Sequence, residues 1–203
     1  MDNINKIKKN ILDRKTRIGV IGLGYVGLPI VIQLINKGYD VVGFDIDKEK
    51  NKKLNKGKSY INHISKEKVL KLLENNFFAT NDWSKINSLD IIIICVPTPL
   101  SNKNEPDLSF LKNTLDSISD YFNYNQLIIF ESTSFPGTTR EVVLPFIEKN
   151  GFKIGNNFFL SYSPEREDPG NEKFLTENIP KIISGITDKC LTLVKTFYDE
   201  VFK

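Results

Sequence analysis

Three glycines constrain this chain more than any other feature. Gly22, Gly24 and Gly27 spell G-x-G-x-x-G directly after the apolar run Arg17–Ile21 and just before Ile30, Val31 and Leu34. Together with Gly27, those last three stand at i, i+3, i+4 and i+7, the spacing of a helix with one buried face. Gly38 is a suitable helix stop, and residues 41–44 read as a second strand. The order strand, glycine turn, helix, strand is a βαβ unit. In that setting each glycine has its own task. The first permits the tight turn, the second lets a diphosphate approach the backbone, and the third lets the helix pack on the strand. The N–H groups that open the helix then favour phosphate charge. Taken alone the string is a weak signal, and a glycine-rich turn without a ligand is the competing explanation.

The alternation continues along the chain. Residues 90–96 (DIIIICV) form a nearly unbroken apolar run, suited to the covered centre of a parallel sheet. Leu108, Leu111, Leu115, Ile118 and Phe122 line one side of the next helix, with Asp107 as N-cap. Residues 127–130 read as a strand, and Pro136 can open the helix that buries Val142, Val143, Phe146 and Ile147. Residues 158–160 follow as a strand, then a loop over 161–170, then a short strand at Ile182 and Ile183. The last helix is expected to bury Cys190, Leu191, Val194, Phe197, Tyr198 and Val201. This pattern predicts an α/β fold, a doubly wound parallel sheet of Rossmann type, over residues 17–203. Residues 1–16 read as a short amphipathic helix on Ile4, Ile7, Ile11 and Leu12, although a frayed tail fits them as well.

Doubly wound sheets bind ligands beyond the carboxyl ends of their strands, and the chemically unusual residues fall there. Asp45 closes the second strand about 20 positions after the first glycine, where an acid accepts hydrogen bonds from a ribose. Its charge would repel a 2′-phosphate, which favours NAD over NADP. Asp47 faces solvent or caps the next helix. Pro97, Thr98 and Pro99 make a rigid loop after Val96, which turn chemistry alone would also explain. Glu131, Ser132 and Thr133 follow the 127–130 strand, and their hydroxyls could hold a ribose, an amide or a water, or merely cap a helix. Ser163, Pro164, Glu165 and Arg166 stand in a proline-bounded loop. Glu165 could act as acid or base and Arg166 could bind phosphate or carboxylate; a solvated loop is the alternative.

Composition removes several function classes. The net charge is +3 with no basic stripe, so nucleic acid is not an expected partner. With 2 cysteines and 1 histidine in the chain, neither a disulfide framework nor a structural metal site is expected. No apolar run is long enough to span a bilayer and the N-terminus is polar, so a cytoplasmic location without membrane contact is expected.

Five strings carry a resemblance: GLGYVGLP (22–29), FDID (44–47), CVPTPL (95–100), ESTSFPGTT (131–139) and SPEREDPGN (163–171). In order and spacing they resemble the UDP-glucose/GDP-mannose dehydrogenase family, over about residues 17–203. The last string and Tyr60-Ile61-Asn62-His63-Ile64 look like the UDP-N-acetylhexosamine 6-dehydrogenases of that family, such as those acting on UDP-N-acetylglucosamine for surface-polysaccharide synthesis. The UDP-glucose enzymes usually carry a second acid where this chain has Pro169, which argues against UDP-glucose. A UDP-glucose 6-dehydrogenase stays the nearest alternative.

The resemblance implies a chemistry. The C6 alcohol of a UDP-sugar is oxidised twice to a carboxylate with two NAD, through a thiohemiacetal and a thioester on a cysteine. By the same resemblance, Gly22, Gly24, Tyr25, Val26 and Gly27 match the diphosphate loop, and Asp45 and Lys50 the adenosine-ribose contacts. Pro97, Thr98, Ser132 and Thr133 match cofactor contacts, Thr133 also a water-positioning hydroxyl, and Glu165 an acid beside the reacting carbon. The family's nucleophilic cysteine, its linking helix and its sugar-nucleotide domain are expected further along a longer chain. These 203 residues are therefore expected to bind NAD without turnover, and a C-terminal half is expected elsewhere or missing. The family is homo-oligomeric. Cys95 and Cys190 read as core residues and His63 as loop packing. Two other classes compete: a short reductase complete in this chain, using Tyr162 and Lys173, and a non-catalytic dinucleotide-binding module.

Overall fold

Four consecutive isoleucines set the middle of the sheet. In the computed structural model, which describes residues 3–100, 106–164 and 181–202, Ile91–Ile94 is the strand β4 and is fully buried. Successive side chains of a strand point to opposite faces. Ile91 and Ile93 accordingly enter one hydrophobic layer, and Ile92 and Ile94 the other.

Among the described residues seven strands form one sheet. They are β1 (Arg17–Ile21), β2 (Asp40–Phe44), β3 (Phe78–Thr80), β4, β5 (Leu127–Phe130), β6 (Phe159–Tyr162) and β7 (Ser184–Gly185), in the order β3-β2-β1-β4-β5-β6-β7. Strands β1 to β6 pair in parallel. The chain order reverses between β1 and β4, so a crevice opens beyond the carboxyl ends of those two strands.

Helices cover both faces. On one side lie α1 (Asn3–Leu12), α2 (Gly27–Asn36), α4 (Lys66–Glu74) and α7 (Asp188–Val201). On the other lie α5 (Ser109–Ile118) and α6 (Leu144–Lys149), the latter entered through a π-helical turn, Thr139–Val143. A short helix α3 (Lys48–Asn55) follows β2. Asp47 caps α3, its Oδ1 accepting from the N–H groups of Glu49 at 2.9 Å and Lys50 at 3.3 Å. Asp107 acts one residue ahead of the α5 cap position, accepting from Ser109 N at 2.8 Å.

Helix α1 is tied to the body of the fold. Ile4 and Ile11 are buried in the same layer as Ile18 and Val20. The Tyr39 hydroxyl donates to the Ile11 carbonyl at 3.1 Å, and Arg14 Nη2 lies 2.6 Å from Glu200 Oε2 on α7.

Several details depart from the sequence reading. The sheet is not wholly parallel, because β7 runs antiparallel to β6 through Ser161↔Gly185 and Tyr162↔Ser184. An antiparallel edge strand on an otherwise parallel sheet is a common device of doubly wound folds. This pairing also carries Ser161 and Tyr162 into β6, and it places the last strand at Ser184–Gly185 and not at Ile182 and Ile183. Finally, Leu191 is 39% exposed, while Leu193 is buried with Cys190, Val194 and Phe197. Residues three, four and seven positions after Cys190 share its helix face, and the residue immediately after it does not. Val143 and Ile147 are buried as expected, with Val142 and Phe146 only partly so. No helix among the described residues is long and apolar enough to cross a membrane.

Candidate functional site

The glycine turn lies at the crevice because β1 ends there. Gly22 N donates to Phe44 O at 2.8 Å, which extends the β1–β2 ladder one step into the turn. Gly22 has φ +91°, and a Cβ there would lie 2.6 Å from the Cys95 carbonyl oxygen. Only glycine meets both conditions cheaply. At Gly27 a Cβ would lie 1.9 Å from the Gly22 carbonyl oxygen, so the start of α2 can approach β1 only with hydrogen at this position. Gly24 is different: a Cβ there would meet nothing within 4 Å. The protein itself therefore does not require glycine at Gly24, whereas a ligand approaching the backbone would.

Asp45 closes β2 and is 7% exposed. Its Oδ2 accepts from Leu23 N at 3.0 Å and its Oδ1 from Asp47 N at 2.9 Å. Lys50 Nζ lies 3.5 Å from the same Oδ2. Asn51 Nδ2 donates to the Asp45 carbonyl at 2.8 Å and fixes the residue from behind. A carboxylate offers about four acceptor sites, so Asp45 retains capacity for further donors after these bonds.

The neighbouring strand ends complete the wall. The Thr98 hydroxyl donates to the Thr133 carbonyl and ties the loop after β4 to the loop after β5. Ser132 is buried, with its Oγ 3.4 Å from the Ile94 carbonyl. Glu131 is fully buried and pairs with Lys181 Nζ at 2.7 Å.

These groups surround one cleft of about 730 Å³. It is lined by Gly22, Gly24, Tyr25 and Val26, by Asp45 and Lys50, and by Pro97, Thr98, Ser132 and Thr133. The structure thus brings together every described residue that the sequence reading assigned to cofactor contact except Gly27, which packs beneath the turn. Glu165 and Arg166 lie outside the described residues.

The cleft also holds residues the sequence reading passed over. Phe110, Asn113, Thr114 and Ser117 contribute one wall from α5. They stand at i, i+3, i+4 and i+7, one position out of phase with the buried Leu111, Leu115 and Ile118, and that second stripe was a legible signal. Ile46 and Trp83 line the Asp45 end, where Trp83 stacks on Phe44 with ring centroids 5.7 Å apart. Cys95 needs a correction. It lies one residue beyond β4 and is half-buried; it packs against the core layer that holds Ile91 and Ile93 and also lines the cleft, so the core reading holds only in part. Cys190 is fully buried on α7, as expected. His63 is exposed rather than packed within its loop, and its ring lies 5.7 Å from that of Tyr25 on the glycine turn.

Comparison with known proteins agrees with this geometry. Residues 16–202 match the model of the UDP-glucose/GDP-mannose dehydrogenase family, NAD binding domain. The chain belongs to that family. Its cofactor is NAD, and the residues present suit it: an open approach at Gly24 and a carboxylate with spare acceptor capacity at Asp45. Protein CapL of Staphylococcus aureus is 37% identical over 185 residues, covering 91% of this chain and 43% of that protein. The UDP-N-acetyl-D-glucosamine 6-dehydrogenase of Salmonella typhi is 33% identical over 188 residues, covering 92% of this chain and 44% of that protein. Among solved structures, the UDP-N-acetyl-mannosamine dehydrogenase Cap5O of S. aureus superposes with a TM-score of 0.84 at 34% identity, covering 93% of this chain and 46% of that one. The chain spans less than half the length of the family members it matches.

Proposed function

We propose that this NAD-binding domain serves a nucleotide-sugar 6-dehydrogenase that oxidises the C6 alcohol of a UDP-N-acetylhexosamine to a uronate. The cleft carries the cofactor half of this reading. Gly24 leaves the turn open and Asp45 stands at the end of the neighbouring strand, as a dinucleotide requires. The sugar half rests on relatives named for N-acetylhexosamine substrates and on Pro169, which stands where UDP-glucose enzymes usually carry an acid.

When bound, NAD supplies a hydride acceptor. The chain's own residues do the holding. The part of the turn at Gly24, Tyr25 and Val26 would hold the diphosphate, and Asp45 with Lys50 would take the adenosine ribose. The Thr98–Thr133 tie keeps the two loops at the reacting end in fixed register. Thr133, exposed at the end of β5, is assigned to placing a water, Glu165 to acid–base work beside the sugar carbon, and Arg166 to the sugar nucleotide. The cysteine that would carry the acyl intermediate is assigned to the part of the enzyme beyond this domain.

Calorimetric titration of the purified chain with NAD, NADP and UDP-N-acetylglucosamine tests the cofactor half. Saturable NAD binding is expected, with NADP weaker by about tenfold or more, a difference of about 1.4 kcal/mol. A folded chain that ignores NAD would sink the reading. The substrate half is tested by NADH formation after a relative's C-terminal half is supplied. Turnover of UDP-N-acetylhexosamines over UDP-glucose is expected, and the reverse preference would overturn it.

A further inference from the structure

Leu23 is held at both of its backbone polar groups by side chains from outside the glycine turn. Its N–H donates to Asp45 Oδ2 at 3.0 Å. Its carbonyl accepts from the hydroxyl of Tyr60, 37 residues away in sequence. Tyr60 comes from the segment between α3 and α4. That segment is anchored by the buried Ile61 and Ile64 and by Ser59 Oγ, which donates to the Ile61 carbonyl at 3.0 Å. Lys50 Nζ lies 5.9 Å from the centre of the Tyr60 ring. The same segment meets the turn a second time, through His63 on Tyr25.

This contact bears on direction. A peptide group is planar and trans, so its C=O and N–H point opposite ways. With the Leu23 carbonyl turned to Tyr60, the Gly24 N–H of that same peptide is turned away from it. Among the described residues the Gly24 N–H has no acceptor. Gly24 lines the cleft and has open space beside its Cα. A donor without a partner, beside room for a ligand, is what an anion site needs.

We propose that Tyr60 is a positioning residue for the diphosphate site: by holding the Leu23 carbonyl it aims the Gly24 N–H at the cofactor's diphosphate. The proposal rests on the cleft being the NAD site. Burial, followed by the nearby Asp45 and Asp47 carboxylates, raises the Tyr60 hydroxyl above the ordinary tyrosine range. It therefore keeps its proton and stays a donor at any pH where the domain would work. The phenol touches no cofactor atom in this role; it acts through the peptide.

The test compares three ligands on the purified chain and its Tyr60→Phe variant: NAD, ADP-ribose and adenosine. The loss of one hydrogen bond that orders the turn should weaken NAD and ADP-ribose by roughly five- to tenfold. Adenosine, which lacks the diphosphate, should bind the two proteins alike. A merely structural role would weaken all three ligands together. A second measurement needs no variant: the Gly24 amide resonance of the wild-type chain should move on adding NAD or ADP-ribose and stay still with adenosine. If the wild type binds NAD while Tyr60→Phe binds it equally well, the Tyr60 role is wrong and the cofactor site stands. A Gly24 amide that ignores bound NAD has the same meaning, and it decides the matter if the variant does not fold. A wild-type chain that binds no NAD removes the cofactor reading and this proposal with it.

Discussion

Lys181 Nζ lies 2.7 Å from Glu131 Oε2, with the two side chains 6% and 0% exposed. The Tyr198 hydroxyl donates to the other carboxylate oxygen, and the lysine stands 5.1 Å from the centre of the Phe202 ring. The ion pair joins the end of β5, which forms part of the cleft, to the residues just before β7, and the Tyr198 bond joins it to α7. Taking one partner from a buried ion pair strands the other charge away from water, at a cost of about 3–5 kcal/mol. Lys181→Met should therefore lower urea-unfolding stability by about that amount. The double variant Glu131→Gln/Lys181→Met should recover part of the loss, because the buried charge is removed together with its counter-charge. Equal stability of Lys181→Met and wild type would show that the pair is solvated in solution.

The glycines separate folding from binding. At Gly27 an added methyl meets the Gly22 carbonyl oxygen at 1.9 Å, so Gly27→Ala must push α2 off β1. Overpacking of this kind costs about 1–3 kcal/mol, visible as a lower unfolding midpoint. At Gly24 the methyl meets nothing, so Gly24→Ala should change stability by less than about 0.5 kcal/mol. The same methyl would stand where the diphosphate is proposed to approach, and NAD affinity should fall about tenfold or more, or about 1.4 kcal/mol. Normal NAD binding by a stable Gly24→Ala chain would move the diphosphate elsewhere in the cleft.

Where one rule governs several residues at once, the sequence is readable. Strand β1 and strand β5 begin and end where the apolar runs do, because a covered parallel strand has no solvent face to blur its edges. Asp45, Thr98 and Ser132 were found because strand ends locate the crevice. Helix α3 is legible only through its Asp47 cap, because KEKNKKLN buries no more than Asn51 and Leu54 and so shows no apolar stripe. The α5 wall is carried by Phe110, Asn113, Thr114 and Ser117, a second stripe beside the apolar one that dominates the helix periodicity. Tyr60 reaches Leu23 across 37 residues, and no local pattern encodes that contact. Cys95 reads as core because DIIIICV runs two residues past Ile94, where strand β4 ends.

Two tyrosines set the alkaline limit of stability. Burial is the largest cause that raises Tyr39, partly opposed by Arg14, and burial is also first for Tyr60. An acid whose pKa is raised in the fold holds its proton more tightly there than in the unfolded chain. Its contribution is complete below the unfolded tyrosine value of about 10 and is lost as pH rises through the folded value. Denaturant-unfolding stability should thus be flat from neutral pH to about 9 and fall above about 10. The variants Tyr39→Phe and Tyr60→Phe should each make that decline shallower. A stability curve level through this range would mean that both hydroxyls titrate as they do in water.

Asp45 is the residue on which cofactor choice is expected to turn. It is nearly buried, and backbone N–H groups already engage both oxygens, so the carboxylate is fixed before any ligand arrives. Preorganisation of this kind lets a ribose hydroxyl gain a charged hydrogen bond without reordering the site, and such bonds contribute about 1.5–3 kcal/mol. Asp45→Asn keeps the shape and one acceptor oxygen but removes the charge. NAD affinity should fall by roughly tenfold to a hundredfold, in line with that range. NADP should behave oppositely, since its 2′-phosphate no longer meets a carboxylate and finds Lys50 Nζ released from its partner 3.5 Å away. The ratio of the two dissociation constants, taken by calorimetry at two salt concentrations, separates charge from shape. An electrostatic origin predicts that the wild-type preference for NAD narrows only modestly as salt rises, because a nearly buried carboxylate is screened much less than an exposed one, and that the variant's ratio responds less still. If Asp45→Asn weakens NAD and NADP equally, the carboxylate only buttresses Leu23, and selectivity lies with another wall of the cleft.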